Sequence, residues 1–128
     1  MLKVTCAIIE NNGKVLCTQR SSKMDLPNKW EFPGGKMKDE TAEECLKREI
    51  KEELGVEVKI LEQLPSNEHS YSNSKKIKLI PFRCILKTFE ITLLEHAQAI
   101  WLPLEKIECL DWAKADIPIV KHYIENYK

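Results

Sequence analysis

The chain has 128 residues, enough for one domain with a real hydrophobic core. Hydrophobic residues make up 43% and charged residues 31%, the balance of an ordinary globular protein, and no apolar run is long enough for a membrane span. Lys plus Arg number 20 and Asp plus Glu number 20, so the net charge is zero, without the basic excess that a long nucleic acid would demand of its partner.

The five cysteines, Cys6, Cys17, Cys45, Cys84 and Cys109, are odd in number and form no C-x-x-C pair. That pattern is neither a disulfide framework nor a zinc site, and it points to reduced thiols in a cytoplasm. The first residues, MLKVTCAIIENNGK, are too short and too interrupted for a signal peptide. We expect a single domain over residues 1–128, soluble and cytoplasmic, with no membrane partner.

In chain order, Leu2–Ile9 and Lys14–Gln19 read as strands joined by Asn11-Asn12-Gly13, a hairpin signal because Asn and Gly tolerate positive φ. Trp30–Phe32 reads as a short strand stopped by Pro33-Gly34-Gly35. Thr41–Leu54 is the clearest helix: Thr41 with Glu44 makes a capping box, Gly55 suits the left-handed C′ position, and Ala42, Leu46, Ile50 and Leu54 form a buried stripe. Val56–Leu64 and Lys76–Leu86 read as strands, the second carrying Pro81, which argues for an edge or a bulge. Ile91–Leu94 and Ala99–Leu102 are shorter strand candidates, and Asp116–Tyr127 reads as a final helix with Pro118 in its first turn. The expected architecture is a mixed sheet with helices packed on it, α/β or α+β.

Glu49, Glu52 and Glu53 stand at i, i+3 and i+4 of the central helix, on one face with Cβ atoms about 5–6 Å apart. Three like charges so close repel unless something positive lies among them, and clustered carboxylates suit hard cations such as Mg²⁺ or Mn²⁺ rather than zinc. The competing reading is a solvated acidic face balanced by Lys47, Arg48 and Lys51. Upstream, Trp30-Glu31-Phe32-Pro33-Gly34-Gly35-Lys36 brings a glycine pair whose backbone can approach a ligand closely.

From Gly34 the chain reads G-x5-E-x7-R-E-I-x-E-E-L-G-V, which resembles the signature of the Nudix hydrolases, G-x5-E-x7-R-E-U-x-E-E-x-G-U with U a bulky aliphatic residue. In family members with W-E-F-P-G-G-K the count usually starts at the second glycine; here the loop to Glu40 is one residue shorter, so it starts at Gly34. The resemblance implies the Nudix fold, a mixed, partly barrel-like sheet sandwiched between helices. It further implies Glu49, Glu52 and Glu53 as ligands of Mg²⁺ (or Mn²⁺ in its place), assisted by a Gly34 or Gly35 carbonyl. Arg48 would orient Glu49 through a salt bridge, and Glu40 would support the cluster. Glu95, in Leu94-Glu95-His96, matches a further acidic ligand or general base of the MutT-like branch; otherwise it is an exposed loop residue.

The implied reaction is hydrolysis of a nucleoside triphosphate to a nucleoside monophosphate and pyrophosphate, with cations neutralising phosphate oxygens and activating water. Arg20 matches a phosphate-contacting position or is a surface strand end. Gly35 and Lys36 fall with the substrate-binding residues. Leu110–Pro118 resembles a segment of the CTP pyrophosphohydrolase-like subgroup, in which Asp116 would read the base edge; its other reading is the N-cap of the last helix. Phe32 and Phe82 could stack on the base or belong to the core. Glu68-His69-Ser70-Tyr71 also resembles this subgroup, with His69 structural, and Lys75, Lys76 and Lys78 read as a solvated strand edge. An oxidised purine such as 8-oxo-dGTP, or a pyrimidine such as CTP or 5-methyl-dCTP, is the expected substrate, cleared from the nucleotide pool. The alternatives are another nucleoside diphosphate-X compound or a non-catalytic nucleotide sensor. The protein would act as a monomer or homodimer.

Overall fold

The computed structural model describes residues 1–71 and 75–127. Strand β1 (Leu2–Asn11) turns into β2 (Lys14–Gln19) at Asn12 and Gly13, whose φ angles of 52° and 75° are the left-handed values that Asn and Gly accept most easily. The hairpin pairs only near its turn, Glu10 opposite Val15 and Asn11 opposite Lys14. Beyond that β2 leaves β1 and pairs with β3 (Trp30–Glu31) and β8 (Gln98–Pro103), while β4 (Gly34–Lys36) takes its place beside β1. The glycines expected to end a strand therefore form one, Thr5 facing Gly35 and Cys6 facing Gly34. The dipeptide Phe32-Pro33 crosses this fork in the sheet.

The other edge of β1 runs parallel to β7 (Lys76–Leu86) for most of its length. β7 is in turn flanked by β5 (Val58–Gln63) and by a short strand the sequence did not announce, β6 (Asn67–Ser70). Pro81 is thus in a central strand, not at an edge. It sits where the partner changes, between Phe82 opposite Gln63 and Leu79 opposite Asn67, so its missing N–H breaks no ladder, and its carbonyl still accepts from the Leu64 N–H at 2.9 Å. The bulge lies in β5 between Ile60 and Glu62, opposite Cys84 and Arg83 rather than Pro81.

Side chains of β1 alternate between two cores, as the period of a strand requires. Ala7 and Ile9 face helix α1 (Ala42–Leu54), packed with Leu46, Ile50 and Leu54. Cys6 and Ile8 face the opposite layer, where Trp30, Trp112, Ile119 and Tyr123 gather under helix α2 (Ile117–Asn126). The result is the helix–sheet–helix sandwich expected. Each fully buried Leu or Ile of α1 stabilises the layer by about 1.5–3 kcal/mol. Ala42 is only partly buried, and Cys45 takes its place on the inward face.

One expected element differs, and a further one appears. Ile91–Leu94 is not a strand: the Thr92 and Leu94 amides donate to the carbonyls of Leu54 (2.9 Å) and Glu53 (3.0 Å), satisfying groups that the end of α1 leaves open. A 3-10 turn, Leu104–Cys109, follows β8. Among the described residues no helix is long and apolar enough to cross a membrane.

Candidate active site

The geometry starts at the N-terminus of α1. The Thr41 hydroxyl accepts the Glu44 N–H (3.1 Å) and the Glu44 carboxylate accepts the Thr41 N–H (2.9 Å), fixing where the helix begins. With Leu46, Ile50 and Leu54 turned into the sheet, Glu49 and Glu53 are set against β4. The approach is so close that side chains on either glycine would collide: a Cβ on Gly35 would fall inside the Glu49 carboxylate, and one on Gly34 would strike the Thr5 carbonyl. The Gly34 N–H donates to Glu53 Oε1 at 3.2 Å. The Gly35 carbonyl accepts instead from the Thr5 hydroxyl (3.4 Å) and the Cys45 thiol (3.6 Å).

The shortened loop is held by Arg48. Its guanidinium grips Glu40 with two bonds, 2.6 and 3.1 Å, and also reaches the Lys36 carbonyl at 3.2 Å. Glu52 lies at 3.3 Å and Glu49 at 3.5 Å, so Arg48 serves Glu40 first and Glu49 only from a distance. The hydrogen bond from Arg48 holds the Glu40 carboxyl down at about 2.

Glu53 is the opposite case. It is 5% exposed, and burial, then the charges of Glu31, Glu49 and Glu95, push its carboxyl up to about 9. Burial also raises Glu49, with Glu52 and Glu95 adding to it and Arg48 opposing. Glu95 is exposed, in the stretch bonded to the end of α1, and its charge acts on both glutamates. Among the described residues no three acidic, His or Cys side chains converge on a single point, so the carboxylates line a surface rather than close a cage. The donors are all oxygens, and the unrelieved charge around Glu53 is what a hard divalent cation would neutralise, so the residues fit Mg²⁺.

Beside this surface a cavity of about 830 Å³ opens at the fork. Gly34, Gly35, Lys36 and Glu53 border it, and Arg20, Phe32 and Asp116 lie along its walls. Arg20 donates to Glu31 Oε1 at 2.7 Å and to the Asp25 carbonyl, so its charge is already engaged. Asp116 is buried and accepts the Phe32 N–H at 3.0 Å; burial lifts its carboxyl to about 8. It occupies the N-cap position of α2, as the other reading had it, but makes no side-chain cap bond there, its carboxylate accepting from Phe32 instead. The segment reaches the cavity because Trp30 and Asp111–Ala113 exchange backbone bonds of 2.8 and 2.9 Å.

Phe32 packs on Trp112, ring centres 4.7 Å apart. Phe82 is fully buried beneath α1 and does not border the cavity, which corrects its expected place on the base. Lys75 and Lys76 border the cavity, and Lys76 and Lys78 belong to the central strand β7, so these lysines do not mark a sheet edge. The motifs include Glu31, Tyr71 and His96 but give them no role: Glu31 and Tyr71 border the cavity, and His96 holds Glu31. A charged residue between two aromatics in a short buried strand was the available sign for Glu31, since such a group must find partners.

Comparisons with known proteins agree with this geometry. Residues 1–123 match the NUDIX domain family model. The chain is 35% identical over 127 residues to the CTP pyrophosphohydrolase of Escherichia coli (strain K12), covering 97% of this chain and 92% of that one. It is 33% identical over 125 residues to the nucleoside triphosphatase NudI of Enterobacter sp. (strain 638), covering 88% and 89%. The solution structure of a MutT protein of the Nudix family from methicillin-resistant Staphylococcus aureus 252 superposes with a TM-score of 0.78 at 39% identity, covering 97% and 95%. With the signature helix, the glycine strand and the sandwich all in place, the chain belongs to the Nudix hydrolases.

Proposed function

We propose that this hydrolase cleaves nucleoside triphosphates to a nucleoside monophosphate and pyrophosphate, with Mg²⁺ as the working cation and Mn²⁺ able to replace it. The observation that carries the reading is Glu53, a buried carboxylate lifted to about 9 among three other acids, at the mouth of a cavity large enough for a nucleotide. Glu49, Glu52, Glu53 and Glu95 would hold the cation, with the Gly34 carbonyl as backbone donor, since the Gly35 carbonyl is occupied by Thr5 and Cys45. A bound cation supplies charge neutralisation at the phosphate oxygens and a lowered pKa for the attacking water.

The chain's own groups do the rest. Arg48 and Glu40 fix the loop that presents Gly34 and Gly35, and Lys36 lends positive charge to the phosphate end. As the oxygen of water bonds to phosphorus and the α–β anhydride bond breaks, Glu95 takes the proton. At neutral pH Asp116 carries a proton and can donate to a ring nitrogen, while Glu31 accepts from an exocyclic amine. A cytosine-type edge presents that acceptor beside that donor, consistent with the relative named for CTP. The five cysteines are all free, in keeping with a reducing, cytoplasmic setting.

The test is a triphosphate panel with Mg²⁺, including CTP, dCTP, 5-methyl-dCTP and 8-oxo-dGTP, scored by the product released. Pyrophosphate from a cytosine nucleotide at the highest kcat/KM is expected. Preference for 8-oxo-dGTP would replace the base reading, and turnover of only diphosphate-linked compounds would replace the substrate class.

A further inference from the structure

His96 stands next to Glu95 but turns away from solvent: its side chain is 0% exposed, and its Nε2 lies 2.8 Å from Glu31 Oε2. Its Nδ1 is buried without a hydrogen-bond partner among the described residues. A buried imidazole kept for packing alone would be replaced at lower cost by leucine, which leaves nothing unsatisfied. Its one side-chain hydrogen bond among the described residues is therefore the candidate reason for its presence. That bond goes to a carboxylate on the cavity wall whose other oxygen is held by Arg20 at 2.7 Å. Two donors on two separate elements, the end of β2 and the stretch before β8, thus clamp Glu31 from both sides, and the Glu31 backbone carbonyl is fixed by the Thr18 hydroxyl at 2.7 Å.

We propose that His96 is a positioning residue for substrate selection: it orients Glu31 so that a free lone pair of its carboxylate meets a hydrogen-bond donor on the nucleoside. This rests on the reading of the cavity as the substrate site. Glu31 has no rotational freedom to waste when the base arrives, because both its oxygens are already fixed. The same clamp explains why Arg20 is not spent on phosphate. His96 acts on binding and discrimination, whereas its neighbour Glu95 acts on the chemical step, so adjacent residues divide the two tasks.

The experiment compares His96→Gln, His96→Leu, Glu31→Gln and the double variant His96→Leu/Glu31→Gln, each measured on the triphosphate panel with saturating Mg²⁺ and by thermal melting. His96→Leu should raise KM for the preferred triphosphate about tenfold and narrow its advantage over other bases, with kcat little changed. His96→Gln, whose amide can still donate to Glu31, should recover most of that loss. The double variant should be no worse than Glu31→Gln alone, because His96 acts through Glu31. A His96→Leu protein that melts lower but keeps its KM and base preference would overturn the proposal, as would losses that multiply in the double variant. An inactive wild-type protein would instead refute the pyrophosphohydrolase reading itself.

Discussion

Two clusters of carboxylates lie at opposite ends of the sheet and are treated differently. At the far end Arg83 bonds Glu10 twice at 3.0 Å and Glu62 at 2.9 Å, the Tyr123 hydroxyl donates to Glu10 and the Tyr127 hydroxyl to Glu62, and the guanidinium sits 4.6 Å from the centre of the Tyr127 ring. Every acid there has a donor, and the cluster fastens α2 to strands β1, β5 and β7. At the near end Glu49, Glu53 and Glu95 lie close enough to repel one another, while Arg48 beside them is drawn chiefly to Glu40. Paired acids hold the fold together; acids left in mutual repulsion suit the cation proposed for them.

Replacing Glu53 by Gln tests the near cluster hardest. Turnover with Mg²⁺ should fall on the order of a thousandfold. The metal-free protein should melt no lower than wild type, because a neutral amide replaces a buried acid that the fold strains to ionise. Mg²⁺ should raise the wild-type melting temperature and leave the variant's nearly unchanged. Retained turnover, or a variant that melts well below wild type, would place Glu53 with the structural acids instead.

Asp116 offers a sharper reading on the same side. Its folded value, about 8, lies above its ordinary 3.8. An acid raised in this way adds stability that is fully present below the lower value and is lost as pH rises through the upper one. Asp116 should therefore cost the metal-free wild type stability between pH 5 and 8, at most about 1.4 kcal/mol per unit, on top of the similar fall that Glu53, lifted to about 9, carries on to higher pH. Asp116→Asn should flatten that slope; melting curves at four pH values, with equal slopes in both proteins, would contradict it.

Removing the far arginine sets the counter-case. Arg83→Met leaves Glu10 partly buried without its cation and should cost about 2 kcal/mol, on the order of 8 °C in melting temperature. KM and kcat, measured well below the transition, should stay at wild-type values. A catalytic loss without a stability loss would erase the division between the two clusters.

How far the sequence reveals this division depends on range. The α1 cluster was readable because helix spacing alone sets Glu49, Glu52 and Glu53 on one face, and the capping box and Gly55 mark both ends. The two strands of the first hairpin were readable from their turn. The far cluster was not, because Glu10, Glu62, Arg83, Tyr123 and Tyr127 meet only through strand pairing over long separations. The same holds for Glu31 with His96, 65 residues apart. Ile91–Leu94 looked like a strand from its apolar residues, yet its amides serve the end of α1, a demand that is invisible until the helix end is placed. The glycine pair reads as a turn by composition, and only the proximity of Thr5 and Glu49 shows that it is a strand kept bare for close approach.

The smallest effect tests whether the near cluster depends on the whole of its helix. Thr41→Ala removes the hydroxyl that accepts the Glu44 N–H, and loss of such a cap costs about 1 kcal/mol. Thr41 is exposed and stands twelve residues before Glu53, roughly 18 Å along the axis, while Glu53 is fixed by the Gly34 N–H and by the sheet beneath. The variant should melt a few degrees lower, about 3–6 °C, with kcat at saturating Mg²⁺ unchanged. Between the two lies Arg48, whose hold on Glu40 anchors the preceding loop independently of the cap. If kcat nevertheless fell in step with stability, fraying at Thr41 would be reaching the carboxylates through Glu40, and the loop rather than the buried stripe would be what holds them in place.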